Sequence, residues 1–343
     1  MIYAYGVTQQ GHYHIKSNIV CQDAHHIVKC SDRMAIAAVA DGLGSEAHSD
    51  IASKLAAEFS TSYCAERLSE DSDERVILDT IKEAFTLSQQ RIEKTAEDNG
   101  HELDQYDTTL SLAVLIDDTL YYGHSGDSGI VAMTTEGTFE KVTEQQRDQD
   151  GRVFPLFFGE EKWDIGKFDK SVASIFMATD GMLEILFPVY IRNETVSIYA
   201  ALARYFMDPA ALHASEFQEE QTQERIDHFI STIAPAQVSD DKTVVVVANL
   251  DTEIHYQAPE YYAEPNWAEL KKKYDEAWRR AAYPHLYEKS EETETCQETK
   301  PVKDKNESGV EVDTDSDAKK GEKKGKGILK KLLNRVENME QDE

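Results

Sequence analysis

Five aspartates of this 343-residue chain, Asp23, Asp41, Asp127, Asp180 and Asp241, each stand at the end of a strand-like run, beside a glycine, a small residue or another carboxylate. Strand ends are where a sheet scaffold presents ligands to a shared cleft. Asp41 leaves the apolar run MAIAAVA immediately before Gly-Leu-Gly, where glycines let backbone carbonyls approach an ion. Gly126-Asp127-Ser128-Gly129 reads as a tight turn between two strands. Met177-Ala178-Thr179-Asp180-Gly181 closes another apolar strand, and Ser239-Asp240-Asp241-Lys242-Thr243 precedes a run of four valines. Hard divalent cations take oxygen ligands, and Mg²⁺ uses only a few carboxylates while keeping several waters. Aspartates gathered without His or Cys therefore favour Mg²⁺ or Mn²⁺ over zinc, and no HExxH is present. Taken singly, an Asp-Gly pair is an ordinary turn; it is the recurrence at one strand end after another that points to metal.

The remaining candidates are weaker. His25 and His26 adjoin Asp23, but consecutive strand positions point to opposite faces and do not converge on one ion. The four cysteines form no CxxC pair and read as reduced thiols of a cytoplasmic protein. A formal charge of −29, from 36 Lys+Arg against 65 Asp+Glu, disfavours nucleic acid and anionic lipid as partners. An anionic substrate would then need bound metal to offset that charge. No basic leader precedes an apolar stretch, and no apolar run approaches the ~20 residues of a membrane span.

These ligands need a frame. Strands are expected at Ile2 to Val7, Ala24 to Val28, Met34 to Ala40, Thr108 to Ile116, Thr119 to Gly123, Ile130 to Met133, Val172 to Ala178 and Thr243 to Ala248. Helical patterns run from His48 to about Leu68, Glu74 to about Glu97 and about Phe217 to Ile233. Strands mostly joined without crossover helices, with helices grouped between them, predict an α+β fold of sheets covered by helices. Residues 1–252 form the expected main domain, and 253–288 a helical extension with Trp267, Leu270, Tyr274, Trp278 and Ala281 at helical spacing, suited to docking on that domain. Residues 289–327 are too charged and polar to offset their ordering entropy, so disorder is expected. Residues 328–340 read as an amphipathic helix suited to docking on a partner.

The chain resembles the PP2C-type metal-dependent serine/threonine protein phosphatases, in particular their bacterial branch. The resemblance rests on Cys21-Gln22-Asp23-Ala24, Ala40-Asp41-Gly42-Leu43-Gly44, Asp107-Thr108-Thr109-Leu110, Gly123-His124-Ser125-Gly126-Asp127-Ser128, Thr179-Asp180-Gly181 and Asp240-Asp241-Lys242-Thr243, in the family's order over about residues 5–250. It implies an α-β-β-α sandwich of two mainly antiparallel sheets with metals at one edge. It also implies roles: Asp41 bridging two Mn²⁺ or Mg²⁺ ions, Asp180 and Asp241 completing one shell, Asp23 and the Gly42 carbonyl serving the other, and Asp127 with Asp180 forming a third, weaker site. The implied activity is hydrolysis of phosphoserine and phosphothreonine on proteins by metal-activated water, with Asp41, Asp180 and Asp241 as the catalytic set and phosphoproteins, a cognate kinase or its targets as partners.

The chain departs from the family pattern twice. Leu43 stands where animal members carry a His after Asp-Gly, as an apolar residue does in many bacterial relatives. No arginine occurs in Gly11 to Asn18, where the family grips phosphate, leaving Lys16 and His14 as candidate phosphate contacts. His124, between Gly123 and Ser125, reads as structural. The reading from another class is a catalytically silent phosphatase-like module that binds partners; the presence of all five carboxylates argues against it.

Overall fold

The run from Met34 to Ala40 is apolar at every position because neither of its faces meets water. A computed structural model describes residues 1–214 and 219–286 of the chain. In order, it forms β1 (Ile2–Gln9), α1 (His12–Ser17), β2 (Asp23–Lys29), β3 (Met34–Asp41), α2 (Ser49–Arg67) and α3 (Glu74–Asn99). There follow β4 (Leu110–Ile116), β5 (Thr119–Ser125), β6 (Gly129–Thr134), β7 (Phe139–Lys141), β8 (Asp164–Lys167) and β9 (Val172–Ala178). The last are α4 (Asp180–Leu186), α5 (Ala200–Met207), α6 (Pro209–Ala214), α7 (Glu219–Ser231), β10 (Lys242–Asn249) and α8 (Trp267–Ala282).

The strands form two five-stranded sheets, β1-β10-β9-β6-β7 and β2-β3-β4-β5-β8, with antiparallel pairing throughout. Alternation along β3 sends Ala35, Ala37 and Val39 into the layer between the sheets, with Ile2, Ala113, Leu115, Ile130, Ile175 and Val245. The intervening Met34, Ile36, Ala38 and Ala40 join a second core with Ala52, Ala56, Ile81 and Phe85 from α2 and α3. The small alanines let α2 lie close on the sheet. Phe85 is fully buried there, and its truncation to Ala would cost about 3–5 kcal/mol. Behind the other sheet, Phe176 of β9 packs on Phe206 of α5 at 5.2 Å, and Phe206 on Phe229 of α7 at 5.7 Å. The Tyr5 hydroxyl donates to the Phe206 carbonyl at 2.7 Å. The layers are thus helix, sheet, sheet, helix, an α+β sandwich as expected.

All eight expected strands and the three expected helices form, with ends shifted by a few residues where they are described. The elements without a prior signal are short: β7 and β8 span three and four residues, and α1, α4, α5 and α6 six to eight. Segments of that length complete too little of a period to stand out.

Met1–Glu264 make one compact unit, and a second begins at Pro265. The described part of the second is α8 and a turn ending at Leu286. α8 is N-capped by Asn266, whose side chain accepts from the Glu269 amide, and the rings of Tyr274 and Trp278 are exposed. The disordered stretch expected at 289–327 and the amphipathic helix expected at 328–340 lie outside the described residues. No helix among the described residues is long and apolar enough to cross a membrane.

Candidate metal centre

Asp23 opens β2 and Asp41 closes β3, and the antiparallel register sets them directly opposite one another. Asp127 occupies the turn between β5 and β6, Asp180 follows β9 as the first residue of α4, and Asp241 immediately precedes β10. Both sheets therefore contribute. The turn at Asp127 requires Gly126, whose φ of +112° is open to glycine and whose Cβ would meet the Thr109 side chain at 2.4 Å. A Cβ at Gly42 would fall 2.5 Å from the Ser49 carbonyl oxygen, so only glycine lets the chain turn away after Asp41.

The Asp107-Thr108-Thr109-Leu110 motif fixes the backbone at Asp41. The Thr109 amide and the Thr108 hydroxyl donate to the Asp41 carbonyl at 2.8 and 3.0 Å, and Thr109 Oγ1 accepts from the Asp41 amide at 2.9 Å. This is why the strand expected from Thr108 begins at Leu110. Thr179, the residue before α4, makes no side-chain cap; its hydroxyl donates to Asp23 Oδ2 at 2.8 Å. Asp241 Oδ1 accepts from the Gly11 amide at 2.6 Å and Oδ2 from the Gln22 amide at 2.7 Å, which fixes this carboxylate on buried backbone donors.

The aspartates act on one another. Asp41 is pushed well above the carboxylate range by burial first, then by Asp23, Asp180, Asp127 and Asp240. Asp23 is likewise raised, by burial and then Asp241, against hydrogen bonds from Thr179 and Thr243. Burial, Asp127 and Asp240 lift Asp180 to about 7, with Arg147 opposing. Asp127 is raised by burial, which Arg147 partly offsets. So much negative charge, with both sheets supplying it, is costly without a compensating cation. The donors are oxygens, and their mutual repulsion is what a hard divalent ion relieves, so this residue set fits Mg²⁺ or Mn²⁺.

Of the candidate phosphate contacts, Lys16 is exposed on α1 while His14 is buried. His14 Nδ1 lies 2.8 Å from Asp241 Oδ2, although off the line of a directed hydrogen bond, and Nε2 lies 3.9 Å from Asp240 Oδ1. The imidazole thus faces the carboxylates. His25 and His26 point apart as alternation requires, to Thr8 at 2.7 Å and Thr61 at 2.6 Å. His124 is buried between Ser111 and the Glu144 carbonyl, at 2.8 and 3.1 Å, and its pKa is pushed down to about 4 by burial.

Two cations had no signal as site residues in the sequence. Arg147 places its guanidinium 2.5 Å from Asp127 Oδ2 and 3.0 Å from Asp180 Oδ2. Lys242, directly after Asp241, is buried; burial lowers its pKa, while Asp241, Asp23 and Asp240 hold it up. Arg147 lies in a polar stretch with no helix or strand period, so nothing marked it out from its neighbours. Lys242 belongs to a recognised motif, but its burial is a property of the packed strand.

A family model described as Protein phosphatase 2C matches residues 10–208, more than half of the chain. The chain belongs to the protein phosphatase 2C family. Its fold is that of solved phosphatases. The S. agalactiae serine/threonine phosphatase aligns with a TM-score of 0.52 at 15% identity, covering 72% of this chain and 99% of that one. A point-substituted bacterial serine phosphatase aligns with a TM-score of 0.51 at 14% identity, covering 72% and 98%. Comparison with curated protein sequences gave no match. At such identities the structural likeness shows the fold alone, and the chemistry of this phosphatase 2C family member rests on its own residues.

Proposed function

We propose that the chain hydrolyses phosphoserine and phosphothreonine on proteins with a pair of Mn²⁺ or Mg²⁺ ions. The observation that supports this reading is that Asp23 and Asp41 stand opposite one another across β2–β3, with Asp241 and Asp180 acting on the first and Asp180 and Asp127 on the second. Asp41 would bridge the ions, Asp180 and Asp241 would hold one, Asp23 and the Gly42 carbonyl the other, and Asp127 with Asp180 a third. When bound, such ions supply a water nucleophile at neutral pH and neutralise phosphate charge.

The chain's own residues do the rest. Thr108 and Thr109 hold Asp41 in register through its backbone, and the Gly11 and Gln22 amides orient Asp241. Rigid carboxylates lower the reorganisation needed to bind ions in a reactive arrangement. Arg147 touches both Asp127 and Asp180 through one nitrogen, Nη2, and its planar guanidinium is of the kind suited to phosphate oxygens. His14 or Lys16 would contribute at the α1 side, His14 by facing Asp241.

The competing reading is a silent phosphatase-like module that binds partners. An aryl phosphate assay with Mn²⁺ and with chelator separates the two: metal-dependent hydrolysis supports the enzyme, and none in either condition supports the silent module.

A further inference from the structure

A cavity of about 570 Å³ adjoins the candidate centre, and Arg147 belongs to both. Leu183 and Phe187 give it apolar surface, while Lys141, Arg147 and Arg192 line it as cations against one lining carboxylate, Glu184. Lys141 Nζ stands 4.6 Å from the Phe187 ring centroid, a cation resting on the apolar part of the wall. Arg192 is exposed and makes no ion pair among the described residues. Lys141 also pairs with Glu144 at 3.4 Å, and Arg147 with Asp127 and Asp180, so Arg192 is the lining cation without an ion pair among the described residues; in a chain of formal charge −29 even this local positive character runs against the average. It offers a local attraction for anionic groups where the body of the protein repels them.

We infer that this cavity is a substrate subsite, which takes an acidic side chain a few residues away from the phosphorylated serine or threonine. The inference rests on the phosphatase reading above. Arg147 reaches Asp180 from the cavity wall, so phosphate and acidic side chain would be separated by roughly the span of one arginine. An extended peptide crosses such a span in ~2–3 residues at ~3.3 Å each. Lys141 and Arg192 would then set specificity by charge, favouring acidic neighbours and repelling basic ones.

The test compares phosphothreonine peptides alike except for Glu, Gln or Lys at the second and third positions on either side of the phosphothreonine. They are assayed with Mn²⁺ on wild type, Arg192→Glu and Lys141→Glu. The expected kcat/KM for the Glu peptide exceeds that for the Lys peptide by ~10-fold or more at about 50 mM salt, and the gap narrows as salt rises. Each charge reversal should shrink that preference ~3-fold or more. Equal kcat/KM for the three peptides, or a preference that survives both reversals, overturns the inference and leaves the phosphatase reading intact. A fluorescein-labelled phosphonate version of the Glu peptide, followed by anisotropy, separates the two ideas from the other side. If no peptide is hydrolysed yet the phosphonate binds wild type more tightly than either variant, the subsite stands and the phosphatase reading fails. If it binds all three alike, the subsite is overturned as well.

Discussion

Asp23 and Asp41 face one another across the β2–β3 ladder, the first residue of one strand against the last of the other. Both are held well above the carboxylate range, by burial first and neighbouring aspartates next. A group whose pKa is higher in the folded state binds more protons there than in the unfolded chain, so stability falls as pH rises. In the metal-free protein this penalty sets in above the unfolded value near ~4 and, for Asp180, is complete only above its folded value of about 7. Melting of chelator-treated protein should therefore show Tm falling between about pH 5 and about pH 8, with Mn²⁺ raising it more at the higher pH. A Tm gain from Mn²⁺ that is equal at both pH values would count against the carboxylate cluster as the binding site.

Arg147 is a cation already seated on Asp127 and Asp180. Its replacement by alanine should lower the metal-free Tm near neutral pH, because two raised carboxylates lose their partner. The same change should tighten Mn²⁺ binding at Asp127 by about 1.5- to 5-fold, the range for a partly exposed charge pair. Titration calorimetry on wild type and Arg147→Ala reads both sign and size; weaker Mn²⁺ binding in the variant would show that Arg147 supports the ion rather than competing with it. Asp127→Ala, in turn, should slow turnover while leaving the two tighter ions bound.

Lys16 and His14 differ in burial, and so should the kinetics of their variants. Exposed Lys16 would contact the phosphate dianion in the ground state, so Lys16→Ala should raise KM more than it lowers kcat. His14, facing Asp241, acts on a proposed ligand, so His14→Ala should weaken Mn²⁺ binding measured directly. Unchanged KM in the first, or unchanged Mn²⁺ affinity in the second, returns that residue to a structural role.

The strand ends at Asp41, Asp180 and Asp241 were legible because the carboxylates follow or precede continuous apolar runs, whereas Asp23 precedes a shorter run interrupted by His25 and His26. The helices α2 and α3 were legible from their helical period. Arg147 was not: the segment after β7 has no regular period, and an arginine 20 residues beyond Asp127 has no local reason to fold back on it. Nor did the sequence show that the Thr108 and Thr109 hydroxyls bond the Asp41 backbone, since β-branched residues before an apolar run simply extend a strand pattern. His14 carried an expected role, yet its burial against Asp241 arises from packing that residue order alone does not reveal.

A chain ending at Leu286 should fold and hydrolyse small phosphoesters as well as the full protein, because Met1–Glu264 already enclose the sandwich and every proposed ligand. Matched Tm and kcat/KM on an aryl phosphate are expected. A large loss of either would give the later residues a part in the fold or the site.

The central claim is tested most directly by hydrolysis of a phosphothreonine peptide, with chelator-treated wild type and Asp41→Asn measured before and after Mn²⁺ is added. Wild type should be inactive before and active after, and Asp41→Asn should stay at least ~10³-fold below it, since losing the metal-activated water forfeits several kcal/mol of transition-state stabilisation. Full turnover in chelator, or Asp41→Asn matching wild type, would contradict it.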